Sequence, residues 1–95
     1  MRVKWDSAKS ESNKAKHGIA FPRAQLVFDD PCCVTFPERV VDGEERWHAI
    51  GYVPGSLLLL LTVVHTWTEE GQVVRIISAR HASNVERKHY DEADL

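Results

Sequence analysis

Residues 44–80 read EERWHAIGYVPGSLLLLLTVVHTWTEEGQVVRIISAR, a succession of β-prone runs broken by two turn signals. Valine, isoleucine, leucine, threonine and tryptophan dominate these runs, a composition typical of strands. Pro54-Gly55 and Glu70-Gly71 separate the runs and favour tight connections. We therefore predict an antiparallel β meander, preceded by a further strand at residues 32–36. The three runs of the meander are 44–53, 57–67 and 72–80.

Helical signals precede this β-rich region. Asp6 offers an N-cap side chain to a lysine- and alanine-rich segment, residues 7–17, which ends at Gly18. The segment has almost no apolar stripe, so we expect a surface helix with projecting lysines. Phe21-Pro22 opens a second, shorter helix, because proline is tolerated in the first turn. The predicted buried stripe of this second helix is Phe21, Ala24, Val27 and Phe28.

The two ends of the chain complete an α+β order. Residues 3–5 are short and β-prone, and Ser83 with Glu86 forms an S-x-x-E capping box for a terminal helix that continues through Tyr90. We therefore predict a short strand, two helices, a β meander and a C-terminal helix. A chain of 95 residues suits one compact domain, so residues 1–95 are expected to form a single unit.

Composition narrows the class of protein. The apolar and charged fractions, 43% and 27%, are ordinary for a globular domain. The longest apolar run begins at Leu57 and is far shorter than a membrane helix, and no leader opens the chain, so we expect a cytoplasmic protein with no membrane partner. Cys32 and Cys33 are adjacent, and no cysteine or histidine pair has zinc-like spacing. We expect neither a metal site nor a cofactor.

Charge is unevenly distributed along the chain. Although the net charge is −2, residues 1–25 carry six basic and two acidic side chains, a balance of +4. Residues 75–90 carry four basic and one acidic side chain, or +3, whereas residues 28–45 carry six acidic and one basic, or −5. If the two basic segments meet, they form a face suited to phosphates; otherwise they are ordinary solvated surface.

The candidate chemistry is RNA cleavage without a metal. The attacking 2′-hydroxyl must lose a proton, the phosphorane oxygens gain negative charge, and the leaving 5′-oxygen needs a proton. Lysine, histidine, arginine and tyrosine can meet these needs. Lys16 or His17 could serve as base or phosphate anchor. Arg75 and Arg80 would hold the scissile phosphate, and Tyr90 or His65 could be the acid. The candidate catalytic residues are Lys9, Lys16, His17, Arg46, Arg75, Arg80 and Tyr90.

Several candidates have structural alternatives. His65 alternates with valine and leucine, which favours a half-buried strand histidine, and Tyr90 could pack on its own helix. The tryptophans could stack bases, although core positions are commoner. Arg75, between apolar positions, requires either a carboxylate partner or a functional cleft. In a regular strand Arg75 and Arg80 lie on opposite faces, with Arg80 exposed at the strand end.

Spaced blocks across nearly the whole chain resemble one known family, the BrnT toxins. The blocks are Trp5-Asp6-x-x-Lys9-x-x-x-Asn13-x-x-Lys16-His17-Gly18-Ile19-x-Phe21, Val27-Phe28-x-Asp30-Pro31, Glu45-Arg46-Trp47 with Ile50-Gly51, Arg75-Ile76-Ile77-Ser78-Ala79-Arg80, and Glu86-Arg87-x-x-Tyr90. No single block is specific, but their combination is.

The resemblance implies a RelE/ParE-like fold and a ribonuclease that halts translation. It also implies a neighbouring BrnA-type antitoxin with a ribbon-helix-helix DNA-binding domain, through which the pair would reach operator DNA and repress its own operon. Related folds inhibit DNA gyrase instead of cleaving RNA. The alternative function is therefore a binding toxin or a co-repressor subunit that acts only through protein docking.

Overall fold

A computed structural model describes residues 1–68 and 70–93 of the chain as a mixed α+β fold. The predicted α+β class is confirmed. A five-stranded sheet combines with helices that precede and follow the long strands. The elements are β1 (Arg2–Lys4), α1 (Ser7–His17), α2 (Phe21–Ala24), a 3₁₀ segment (Gln25–Asp29), β2 (Val34–Val41), β3 (Glu44–Tyr52), β4 (Leu60–Thr68), β5 (Val73–His81) and α3 (Asn84–Glu92).

The sheet has the order β1-β5-β4-β3-β2. Strands β2 to β5 are antiparallel neighbours, which confirms the meander and extends it by one strand. The short β1 is parallel to β5, with Val3 opposite Val74. Asp42 and Gly43 connect β2 to β3 with positive φ angles of 51° and 77°, the backbone that a tight hairpin turn requires.

The predicted start of the second run of the meander, residue 57, is wrong. Residues 57–59 lie outside β4, and the side chains of Leu57 and Leu58 are 90% and 91% exposed. The segment after Val53 forms a loop instead, in which the Val53 N–H donates to Leu59 O and the Ser56 N–H donates to Val53 O. These local hydrogen bonds place Leu57 and Leu58 in the loop, so β4 begins three residues after the start of the apolar run.

The core lies between the sheet and the layer formed by α2 and the 3₁₀ segment. Phe21, Ala24 and Val27 are fully buried as predicted, and Phe28 packs partly buried against the same cluster. The predicted second helix is correct only as far as Ala24, because the chain then tightens into 3₁₀ turns. Gly51 lets this layer approach β3 closely, since a Cβ there would lie 2.9 Å from Val27 Cγ1.

A β-bulge in β5 places Arg75 and Arg80 on the same sheet face. Val64 pairs with Ser78 but His65 pairs with Ile76, which leaves Ile77 as an extra residue. One extra residue reverses the side of the sheet to which each later side chain of β5 points. The side chains that consequently face the helical core are Val74, Ile76 and Ala79. The regular strand with arginines on opposite faces is therefore wrong.

The helix ends follow the predicted caps. The Asp6 side chain accepts hydrogen bonds from the Ala8 and Lys9 N–H groups, and Gly18 ends α1 at φ 78°. Ser83 and Glu86 form the predicted capping box of α3. In the described ranges 1–68 and 70–93, no helix is long and apolar enough to cross a membrane.

Candidate functional site

A groove between α1 and the sheet face opposite the core gathers four of the predicted site residues. Its volume is about 310 Å³. Lys9, Lys16 and His17 reach it from one face of α1, because residues seven or eight apart lie two turns along the same helix face. Arg46 comes from β3. The remaining lining residues are Ser12, Asn13, Ile77 and Ser78.

Asn13 fixes α1 against the edge of β5 beside this groove. Its Nδ2 donates to Ile19 O and to Ala79 O, each at 2.8 Å, and its Oδ1 accepts from the Ala79 N–H at 3.2 Å. The side chain is buried, so it takes the place of a neighbouring strand for one residue of β5. Nearby on α1, Ser10 Oγ accepts a hydrogen bond from the Phe21 N–H. These contacts set the distance between the helix and the sheet.

Two arginines share one carboxylate on the same sheet face. Arg75 Nη2 donates to Glu44 Oε1 at 2.9 Å and to Oε2 at 2.7 Å. Arg46 Nε is 3.8 Å from Glu44 Oε1 and is buried without a hydrogen bond to any described residue. The carboxylate partner predicted as one alternative for Arg75 is therefore confirmed. One carboxylate between two guanidinium groups leaves the cluster with a net positive charge beside the lysines of α1.

Arg80 is turned away from the groove toward α3. Its Nη1 and Nη2 donate to Glu86 Oε1 and Oε2 at 2.6 and 2.8 Å, a two-pronged ion pair. Burial alone would raise the pKa of Glu86, but the hydrogen bonds from Arg80 and from the Ser83 N–H prevail and lower that pKa to about 2. The expectation of an exposed Arg80 is wrong, because its side chain is 36% exposed and its partner's is only 10% exposed.

Tyr90 lies among different partners. Its hydroxyl donates to Asp30 Oδ2 at 2.7 Å, and its ring packs edge-on against Tyr52. Burial first and the hydrogen bond to Asp30 second raise the pKa of Tyr90, so its proton is held. Asp30 also accepts from the Tyr52 and Cys32 N–H groups. In this arrangement Tyr90 ties α3 to the loop before β2.

His65 is a core residue rather than the half-buried one expected. Its side chain is fully buried, and its ring packs edge-on against the rings of Phe28 and Trp67. Burial is the main reason that its pKa is lowered, so its neutral form is favoured. Its Nδ1 lies 3.3 Å from Val63 O. These contacts separate His65 from the groove.

Sequence reasoning missed the residues that position the site. Asn13 and Ser78 belong to the BrnT-like blocks, but the sequence alone gives neither a role, and Glu44 stands out only as part of an acidic segment. The sequence shows Asn13 only as an asparagine in a lysine-rich helix. Asparagines that face solvent have the same surroundings, so its buried position could not be predicted. Within residues 1–68 and 70–93, no group of three or more histidine, cysteine, aspartate or glutamate side chains is placed to hold a metal ion.

Comparison with protein families adds independent information. A family model described as "ribonuclease toxin, BrnT, of type II toxin-antitoxin system" matches residues 5–86. The chain belongs to the BrnT family. The match includes α1, the whole sheet except β1, and the start of α3. A search of curated proteins finds no match.

Membership of the BrnT family identifies the class of protein. BrnT proteins are ribonuclease toxins of type II toxin-antitoxin systems, and such a toxin has an antitoxin partner. The matched region contains all the groove residues, from Lys9 to Ser78. The predicted resemblance is therefore confirmed at the level of the family.

Proposed function

We propose that this BrnT chain is a metal-independent endoribonuclease of the RelE-like type that binds RNA in the groove between α1 and the sheet. The observation that carries the proposal is the convergence of Lys9, Lys16, His17 and Arg46 there, from segments far apart in the sequence. Three basic side chains and one imidazole match the needs of RNA cleavage by 2′-hydroxyl attack.

The roles follow from position. Arg46 lines the groove with a planar guanidinium that stabilises the phosphorane oxygens, while Lys9 and Lys16 hold the flanking phosphates. His17 is the proton-transfer group, since it is the imidazole that lines the groove: an imidazole can accept the 2′-hydroxyl proton and return it to the leaving 5′-oxygen. Arg75 binds Glu44 and so helps to hold the carboxylate that lies beside Arg46. Arg80 binds Glu86 and so connects β5 to α3. The buried His65 and the Asp30-bound Tyr90 are structural in this mechanism.

The proposed role in the cell is the one expected for a BrnT toxin with its antitoxin. RNA cleavage halts translation in the cytoplasm, and a BrnA-type antitoxin of the ribbon-helix-helix class neutralises the toxin and carries the complex to operator DNA. Acidic or apolar antitoxin segments suit the basic groove, because covering it excludes RNA phosphates.

We expect the purified chain to cleave RNA in excess EDTA. His17→Ala should slow cleavage by about 10²- to 10⁴-fold, the usual contribution of a proton-transfer group. His81→Ala is the matched control, because His81 is exposed at the end of β5 and does not line the groove. Circular dichroism checks that both variants are folded.

Two results would contradict the ribonuclease mechanism. Strict dependence of cleavage on added Mg²⁺ or Mn²⁺ would remove the metal-independent chemistry. Unchanged cleavage by folded His17→Ala and Arg46→Ala variants would place the chemistry outside the groove. RNA binding without cleavage by the wild-type chain would favour a toxin that acts only by docking.

A further inference from the structure

A second cavity, which we name the tryptophan cleft, lies at the end of the sheet where β3 begins and β4 ends. Its volume is about 550 Å³. Trp47 is paired with His65, so the antiparallel register places Glu45 opposite Trp67. Glu45, Trp47 and Trp67 share the core-facing side of the sheet, whereas Glu44, Thr66 and Arg46 lie on the other side. The lining residues are Gly43, Glu44, Glu45, Trp47, Thr66 and Trp67.

The cleft combines an aromatic surface with one uncompensated carboxylate. The Trp67 side chain is 42% exposed, so part of its indole ring is open to a ligand. Glu44 is already paired with Arg75, but the exposed Glu45 side chain makes no hydrogen bond or ion pair with any described residue. Its backbone oxygen accepts from Thr66 Oγ1 at 2.9 Å, which anchors β3 to β4 at this point. The carboxylate is therefore held on a fixed strand and left without a cation.

The charge around the cleft decides which ligand fits. Tryptophan faces attract cations, and a carboxylate beside them strengthens that preference. The acidic segment at the cleft is the hairpin end with Asp42, Glu44 and Glu45. Glu44 is paired with Arg75, so Asp42 and Glu45 are the carboxylates left to repel RNA phosphates there. An exposed indole could stack a base, but the polyanionic backbone of RNA would have to approach this acidic segment. A cationic protein side chain is instead attracted to the Glu45 carboxylate.

We propose that the tryptophan cleft binds an arginine or lysine side chain of the antitoxin. The proposal rests on the antitoxin partnership of the BrnT family and not on RNA cleavage, because Glu45 and Trp67 lie on the sheet face opposite to Arg46. The antitoxin then holds the toxin at two places of opposite charge, covering the basic groove with one segment and anchoring a cation in the cleft.

The first experiment uses small probes on the isolated chain. N-acetyl-arginine amide should shift the indole N–H signals of Trp47 and Trp67 in NMR spectra, while that of Trp5, packed against the core, stays unchanged. N-acetyl-citrulline amide has nearly the same shape without the charge and should produce little shift. Equal shifts from both amides, no shift from either, or a preferential response to adenosine monophosphate would overturn the proposal.

The second experiment uses the toxin-antitoxin complex. Glu45→Gln preserves the side-chain shape at an exposed position and should weaken antitoxin binding about tenfold, mainly through faster dissociation. Glu11→Gln is the control, because it removes an equal charge from an exposed position on α1. Trp67→Phe tests the aromatic surface and should weaken binding less than Trp67→Ala.

RNA cleavage by the free toxin separates this proposal from the ribonuclease proposal. Both Glu45→Gln and Trp67→Phe should cleave RNA at the wild-type rate. Reduced cleavage with unchanged antitoxin binding would mean that the cleft serves RNA, and the antitoxin proposal would be wrong. Equal antitoxin affinity for Glu45→Gln, Glu11→Gln and wild type would also overturn it.

Discussion

At the scale of single residues, the ion pair between Arg80 and Glu86 gives Arg80 a role in stability. We expect Arg80→Ala to lower the free energy of unfolding by about 2 kcal/mol, because the nearly buried Glu86 carboxylate loses two charge-assisted hydrogen bonds. The partial exposure of Arg80 keeps the cost below that of a fully buried pair. Urea denaturation at neutral pH measures this difference.

The same pair makes the effect depend on pH. The pKa of Glu86 is about 2 in the folded chain and 4.5 for the free group, so its contribution is present above about pH 4.5 and is lost as the pH falls toward 2. The stability difference between wild type and Arg80→Ala should therefore shrink over that window. Arg39→Ala, at an exposed arginine of β2, is the control; a difference independent of pH would show that packing and not the ion pair is responsible.

At the scale of secondary structure elements, local signals predicted the helices better than the strand geometry. Side-chain caps operate within a few residues, so Asp6, Gly18 and the Ser83–Glu86 box could be recognised from the sequence. The bulge at Ile77 depends on the pairing of β5 with β4, which no local pattern reveals. The groove residues could be named as candidates, but their convergence required the position of α1.

Asn13 determines the position of α1 against β5, and its replacement should affect both stability and RNA cleavage. Asn13→Ala leaves the Ala79 N–H and the Ile19 and Ala79 carbonyls without their partner, so we expect a loss of about 3 kcal/mol in the free energy of unfolding. Cleavage should also fall at temperatures where the variant is folded, because α1 carries Lys16 and His17.

Glu11→Ala on the exposed face of α1 is the matched control for Asn13→Ala and should change neither property appreciably. Thermal unfolding and single-turnover cleavage at a temperature below both transitions test the two effects separately. If Asn13→Ala loses stability but cleaves RNA at the wild-type rate, the amide stabilises the fold without positioning the groove.

At the scale of the whole molecule, segregation of charge matters more than its total. The chain carries a net charge of −2, yet Lys9, Lys16 and Arg46 face one groove. The acidic hairpin that joins β2 to β3 leads instead to the tryptophan cleft. A net negative protein can therefore attract RNA to one face while its opposite face remains unfavourable to phosphate.

This arrangement predicts a strong salt dependence of RNA cleavage. At low substrate concentration the rate should fall as salt rises, because each phosphate contact to single-stranded RNA contributes about 0.7 to the logarithmic slope. Lys9→Glu/Lys16→Glu should lower the rate and flatten the slope by about 1.4, the loss of two contacts. Arg87→Glu/Lys88→Glu reverses the same number of charges on α3, outside the groove, and should leave the slope nearly unchanged. Equal flattening by both double variants would mean that RNA responds to overall charge, and no flattening by the first would place the phosphates elsewhere.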